Sequence, residues 1–273
     1  MSLLPHALRT AHLALRTPHL ALLALFAVSA CHAGPPGALE GKASDEWTRS
    51  YPIADGGELQ VVGGNGSIEV HGGQGKTVEV VAERMARARD EQSAREVVPR
   101  IQIREDVTSD KVILTSEGLG GLVIGVEILI SYKVTVPSGV RLRLRTSNGA
   151  ITVSDFDGRV VASSSNGAVT LKNVRGGVEA RSSNGDVSVD LARFGEDPVD
   201  LRTSNGKIDL MLPNDVAASL IANVTNGAVD IQNLFFEPTG EQTRRRIRGR
   251  LNSGGLPIEL NTTNGSIHIH PRP

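Results

Sequence analysis

The sequence is short of most things that catalytic, nucleic-acid-binding and membrane-spanning chains carry in quantity. One cysteine, Cys31, in 273 residues excludes an intramolecular disulfide. Aromatic residues amount to 3 %, with one Trp and two Tyr, so a core built here is aliphatic. The formal charge of −1 lacks the basic excess that phosphate backbones attract, and nucleic acid is not an expected partner. After residue 30 there is no run of 18 clean apolar residues, which argues against a helical membrane span. Past that point the histidines are only His32, His71, His268 and His270, so a Ser–His–acid triad has few possible members.

What is present in quantity is one pattern written again and again. LRLRTSNGAITV, VVASSSNGAVTL and VEARSSNGDVSV lie within 142–191, with Asn148, Asn166 and Asn184 spaced 18 residues apart. Copies at Asn205 and Asn226 follow at intervals of 21, another surrounds Asn264, and an outlying one surrounds Asn65. Each Asn is followed by glycine: Gly66, Gly149, Gly167, Gly185, Gly206, Gly227 and Gly265. A fixed period near 20 residues points to a repeat architecture. Six and four residues before each Asn, and three and five after it, the residue is apolar in all six copies from Asn148 onward. Polar residues alternate between them, as in half-buried strands. The apolar set is even before the Asn and odd after it, so the chain changes direction at Asn-Gly, where positive φ is expected at the glycine.

Two objects satisfy that pattern. Each unit is one coil of a single-stranded β-solenoid with 18–21-residue coils, stacked ~4.8 Å apart with ladders of like residues. Alternatively each unit is a hairpin with a type I′ turn and the chain is an antiparallel β-meander. The constant period favours the solenoid, because a meander needs no constant strand length.

The run VTVPSGVRLRLRTSNGAITV at 134–153, the SSNG repeats and LNSGGLPIELNTTNGSIHI at 251–269 resemble the bacterial β-strand-repeat family of adhesin-like proteins, also grouped with "toast-rack" envelope domains of largely unknown function. The resemblance spans about 59–269. It implies a β-solenoid outside the cytoplasm, and it brings no catalytic residue with it.

Residues 1–30 read as an export signal, with Arg9 and Arg16 ahead of an apolar stretch and small residues at Val28–Ala30. VSAC resembles the bacterial lipobox, which implies lipidation of Cys31 and attachment to a membrane surface without a span. By analogy with enteric sorting, His32 after the cysteine leans toward the outer membrane. Residues 31–46, rich in Gly, Pro and Ala, are expected to form a flexible tether. Residues 47–140 are expected to cap the solenoid as a β-rich unit with one helix over about 87–98, its Ala94, Val97, Val98 and Ile101 facing inward. Repeats then fill 141–270.

The period breaks at 233–256, where Phe235, Phe236, Arg244, Arg245, Arg246, Arg248 and Arg250 cluster. This insert is either an extra coil without Asn-Gly or a protruding hairpin, and it is the candidate site for an anionic ligand. Arg145, Arg181 and Arg202, three residues before their Asn, suggest a second file, interrupted by Ser163, Asn223 and Asn261. His268 and His270 share an outward face, but no carboxylate or cysteine lies near them in sequence, so neither a metal nor any other cofactor is expected. Asp155 and Asp157 lack calcium-loop spacing and read as a turn or bulge. The expected function is non-enzymatic: an adhesin-like scaffold binding an envelope or extracellular polymer. The alternatives are an envelope-sensing or assembly module contacting a membrane protein and, last, a polysaccharide-cleaving β-helix enzyme.

Overall fold

The strands on either side of each Asn-Gly do not pair with each other but enter two different sheets. The computed structural model describes residues 39–119, 125–195 and 197–272. The expected export signal, Cys31 and the first part of the expected tether lie outside the described residues. In chain order the first strands are β1 (Gly41–Pro52), β2 (Glu58–Val62), β3 (Ile68–Gly73) and β4 (Thr77–Ala88). Helix α1 (Glu91–Val97) follows, then β5 (Gln102–Val107), β6 (Lys111–Gly118) and β7 (Glu127–Pro137). The regular coils comprise β8 (Arg141–Asn148), β9 (Ile151–Ser154), β10 (Val160–Asn166), β11 (Val169–Arg175), β12 (Val178–Asn184) and β13 (Val187–Arg193). They continue through β14 (Val199–Asn205), β15 (Ile208–Leu212), β16 (Ala218–Asn226) and β17 (Val229–Ile231). The chain ends with β18 (Phe236–Pro238), β19 (Arg246–Leu251), β20 (Pro257–Asn264) and β21 (Ile267–Pro271).

One sheet runs β1-β4-β7-β3-β9-β11-β13-β15-β21-β17 and the other β18-β19-β16-β20-β14-β12-β10-β8-β2-β6-β5. Between β8 and β14 the pairing is parallel and in register, with Leu142, Val160, Val178 and Val199 in one file and Asn148, Asn166, Asn184 and Asn205 in another. This is a β-solenoid, and the meander alternative is set aside: β8 and β9, which flank the first Asn-Gly of the regular array, belong to opposite sheets. Alternate residues point inward, so the apolar positions of both flanks meet in one aliphatic core. Leu142, Leu144, Val169, Leu171, Ile208 and Leu210 are at most 1 % exposed. Each such side chain contributes about 1.5–3 kcal/mol when fully buried. Only the pair on the outermost coil, Val229 and Ile231, is half-buried.

The coils do not stack in chain order at either end. At the carboxyl end β20 lies between β14 and β16, and β21 lies between β15 and β17, so the last repeat fills a slot between two earlier ones. At the amino end β2 and β3 stand next to β8 and β9, while β6 and β7 lie outside them. Antiparallel strands then close the amino end of both sheets, β4 and β1 beyond β7 and β5 beyond β6, and the carboxyl end of one, β19 with β18 beyond β16, whereas the other sheet ends at β17. Such closure covers parallel edges that would otherwise recruit other chains. The insert at 233–256 is therefore neither an extra coil nor a protruding hairpin, because its strands continue the sheet.

Two boundaries differ from expectation. The expected tether of 31–46 is folded from Gly41 onward, because β1 pairs with β4 along its whole length, from Gly41 opposite Ala88 to Pro52 opposite Thr77. The helix begins at Glu91 rather than near 87, since β4 keeps Arg87 and Ala88 in the sheet. Asp90 starts it, accepting a hydrogen bond from the Ser93 amide at 2.8 Å. That bond holds the Asp90 carboxyl below its ordinary range. Past Val97 the chain tightens into a 3₁₀ turn through Pro99, and Ala94, Val97, Val98 and Ile101 face inward as the spacing requires.

Candidate binding groove

Ladders run along the turn edge of the solenoid, and most of their rungs carry the sequence S/T-S/T-N-G; the Asn65 copy reads GGNG and the Asn226 copy VTNG. The Asn side chains form an unbroken chain of amide bonds. Asn148 donates to Asn65 (2.6 Å), Asn166 to Asn148 (2.8 Å), Asn184 to Asn166 (2.9 Å) and Asn205 to Asn184 (2.8 Å). Asn264 donates to Asn205 and Asn226 to Asn264, both at 2.7 Å. Inside this ladder lies a file of buried hydroxyls. Ser164, Ser182, Thr203 and Thr262 donate to the carbonyls of Gly149, Gly167, Gly185 and Gly206 at 2.8–3.0 Å. Thr146 reaches Gly64 and Gly66 in the same way. These residues are only 2–6 % exposed, and the bonds satisfy groups that would be costly to bury unpaired.

The glycines serve a different purpose from the one expected of them. Gly66, Gly227 and Gly265 do adopt positive φ, but Gly149, Gly167, Gly185 and Gly206 do not. At all seven a Cβ would fall under 3.0 Å from a backbone carbonyl of the adjoining coil. Glycine is required because the turns stack backbone to backbone, and along the middle of the array that is the sole reason.

Outside the ladders a polar groove of about 930 Å³ opens along the face of β10, β12, β14, β20 and β16 and ends against the insert. Each rung from Asn148 onward contributes an exposed hydroxyl just before its Asn, among them Ser183, Ser204, Thr263 and Thr225. The residues three before the Asn stack as Arg145, Ser163, Arg181, Arg202, Asn261 and Asn223, and Arg246 of β19 pairs with Asn223. The arginine file that looked interrupted in sequence is thus continued, at its far end, by the insert.

The charges along it are treated unequally. Arg181 bonds Glu179 (3.0 Å) and Asp200 (3.2 Å), and Arg202 bonds Asp200 (2.7 Å) with Glu259 at 3.8 Å. The hydrogen bond to Asp200 pushes the Arg202 guanidinium above its ordinary value. Arg245 and Arg246 line the groove, and among the described residues no carboxylate lies within 4.0 Å of either, nor of Arg244 or Arg248. Arg250 is placed elsewhere, in an ion pair with Glu237 at 2.9 Å. The phenylalanines separate: Phe236 packs against the core and Phe235 is 64 % exposed, and neither lines the groove.

The other candidates resolve into local roles. The intercalated last coil brings His268 into register with Asp209 and Asp230, and sets His270 Nε2 3.1 Å from Asp209 Oδ1. Sequence proximity could not show those carboxylates. Among the described residues no group of three His, Cys, Asp or Glu is arranged to hold a metal ion. Asp155, at φ 53°, accepts from Asn173 Nδ2 at 2.7 Å and forms a corner. Among the described residues no helix is long and apolar enough to cross a membrane.

Fold and groove together define a laddered β-solenoid with one long polar face. The Toastrack DUF4097 family profile matches residues 58–270, and the chain belongs to that family. No curated protein matches the sequence. Among solved structures, one described as a "putative cell adhesion protein" from Clostridium sporogenes is 16 % identical at TM-score 0.45, over 84 % of this chain and 100 % of that one. A "putative adhesin" from Bacteroides fragilis is 12 % identical at TM-score 0.32, over 84 % and 97 %. A "putative lipid binding protein" from Parabacteroides distasonis is 9 % identical at TM-score 0.24, again over 84 % and 97 %.

Proposed function

We propose that this chain is a non-enzymatic, exported scaffold whose groove holds an extended polar polymer of the cell envelope or the extracellular space. The observation that carries the reading is the exposed hydroxyl repeated on every rung from Ser147 to Thr225, beside an unbroken Asn ladder. A rigid array at ~4.8 Å spacing presents many weak hydrogen-bonding groups with little ordering left to pay for on binding. Glycoside cleavage needs two carboxyl groups about 5–9.5 Å apart, and Glu241 is the one carboxylate lining the groove among the described residues. The lipobox-like VSAC supports lipid attachment at Cys31, and His32 after it leans, by analogy with enteric sorting, toward the outer membrane.

The test is retention of the purified chain on glycan, peptidoglycan and extracellular-matrix preparations, compared with a variant in which Ser183, Ser204 and Thr263 are replaced by Val. Retention of the wild type and release of the variant is expected. Failure of every preparation to retain the wild type ends the reading. The second reading, an envelope-sensing or assembly module, draws on the exposed Arg244 and Arg248 of the insert, and crosslinking in intact cells to a membrane protein is its test.

A further inference from the structure

We infer that the polymer is an acidic polysaccharide whose carboxylate groups are taken by Arg245 and Arg246 where the groove meets the insert. The inference rests on the polymer-binding reading and adds the ligand's charge and chemical class.

Three observations converge on it. The first is the division of charge along the groove. Arg181 and Arg202 spend their guanidinium groups on Glu179, Asp200 and Glu259, whereas Arg245 and Arg246 face the same groove with no carboxylate within 4.0 Å among the described residues. The second is that the chain holds these two arginines by their backbone alone. The Arg245 carbonyl accepts from Val224 N at 2.8 Å and that of Arg244 from Val229 N at 2.9 Å. The Arg245 and Arg246 amides donate to Thr243 Oγ1 at 3.3 and 3.0 Å. The main chain thereby closes the outermost turn, and both side chains are exposed and absent from every side-chain hydrogen bond found among the described residues. Their position is fixed while their charge is unused.

The third observation is the chemistry between the two ends. Hydroxyls and amides line the groove, which contains no aromatic ring among the described residues. Aromatic platforms for stacked nucleobases are therefore lacking there, and Val224 is the one aliphatic side chain offered to an acyl chain. A polyhydroxylated chain matches the Ser and Thr rungs, and carboxylates on that chain match a guanidinium fork better than an ammonium would. Glu241, the one carboxylate lining the groove among the described residues, repels an acid group placed beside it, so the bound carboxylates belong on the Arg245 and Arg246 guanidinium groups and away from it.

The experiment uses one polymer in two charge states: oligogalacturonate and its methyl ester, each titrated calorimetrically into the purified full chain. The acid is expected to bind at least tenfold more tightly than the ester, with a preference that fades as salt is raised. The double variant R245Q/R246Q is expected to bind the acid at about the ester's level and to melt as the wild type does. R250Q, whose partner is Glu237, is expected to bind like the wild type. Equal affinity for acid and ester, or full affinity for the acid in R245Q/R246Q, overturns the inference while leaving a polymer-binding groove intact. Binding of neither form, together with no retention on any preparation named above, overturns both.

Discussion

Asn264 donates its side-chain amide to Asn205 at 2.7 Å, and Asn226 donates to Asn264 at 2.7 Å, so the last Asn of the array stands between two that precede it in the chain. The carboxyl-terminal coil is thus the penultimate rung of the solenoid. It joins the regular coils to the outermost one and its β19 cap.

Deletion of residues 257–273 should therefore release more than the deleted strand. β16 and β17 would lose their parallel neighbours β20 and β21, leaving β16 attached only to β19. Hydrogen exchange should show loss of protection throughout 216–251, with 141–212 still protected. Retained protection in 216–251 would mean that the outer coil can close directly onto β14 and β15.

Gly167→Ala and Gly185→Ala should each destabilise by about 1–3 kcal/mol, because the added methyl meets the carbonyl of the neighbouring coil. Gly139→Ala separates this cause from backbone strain. Gly139 has φ 80° and nothing within 4 Å of a Cβ, so its cost reflects left-handed backbone alone. Denaturant midpoints for the three variants provide the measurement, and an unaffected Gly167→Ala would remove the stacking argument.

Thr203→Val keeps the shape of a buried side chain and deletes its bond to the Gly185 carbonyl, with an expected loss of about 1 kcal/mol. The outermost rung already carries Val224 at the equivalent position, so Val224→Thr should change stability far less. Thermal unfolding of both variants checks the contrast.

Tyr132 is buried with its hydroxyl 2.7 Å from Ser116 Oγ, and burial pushes its pKa from 10.0 up to about 12. Tyr51, bonded to Glu105, is displaced in the same direction, chiefly by burial. A folded pKa above the unfolded value gives stability that is complete below pH 10 and declines as pH rises toward the folded value. Since these are the only two tyrosines, phenolate absorbance should stay low at pH 10–11 in the native protein and rise together with unfolding. A phenolate signal at pH 10 with an intact fold would contradict this.

Much of the architecture was legible in the sequence because it is written locally. Period-two alternation marks which face of each strand is buried, and the recurrence of Asn-Gly at near-constant spacing selects stacked coils over hairpins. The hydroxyl before every Asn, from Ser147 to Thr263, was equally visible as a pattern. It gained meaning as the wall of a groove only when the insert was seen to close one end of it.

By itself, then, the sequence determined the unit, its inward residues and its turn, since each depends on neighbours within about twenty positions. Tertiary structure alone decided the order of the rungs. Near-identical coils offer one another the same registered pairing, so no local signal distinguishes Asn226 from Asn264 as the neighbour of Asn205. The same cause separates Asp209 and Asp230 from His268 in sequence while joining them in space. It also sets Arg246 at the end of a file that begins at Arg145, because the antiparallel β19 pairs with β16, the outermost coil strand of its sheet.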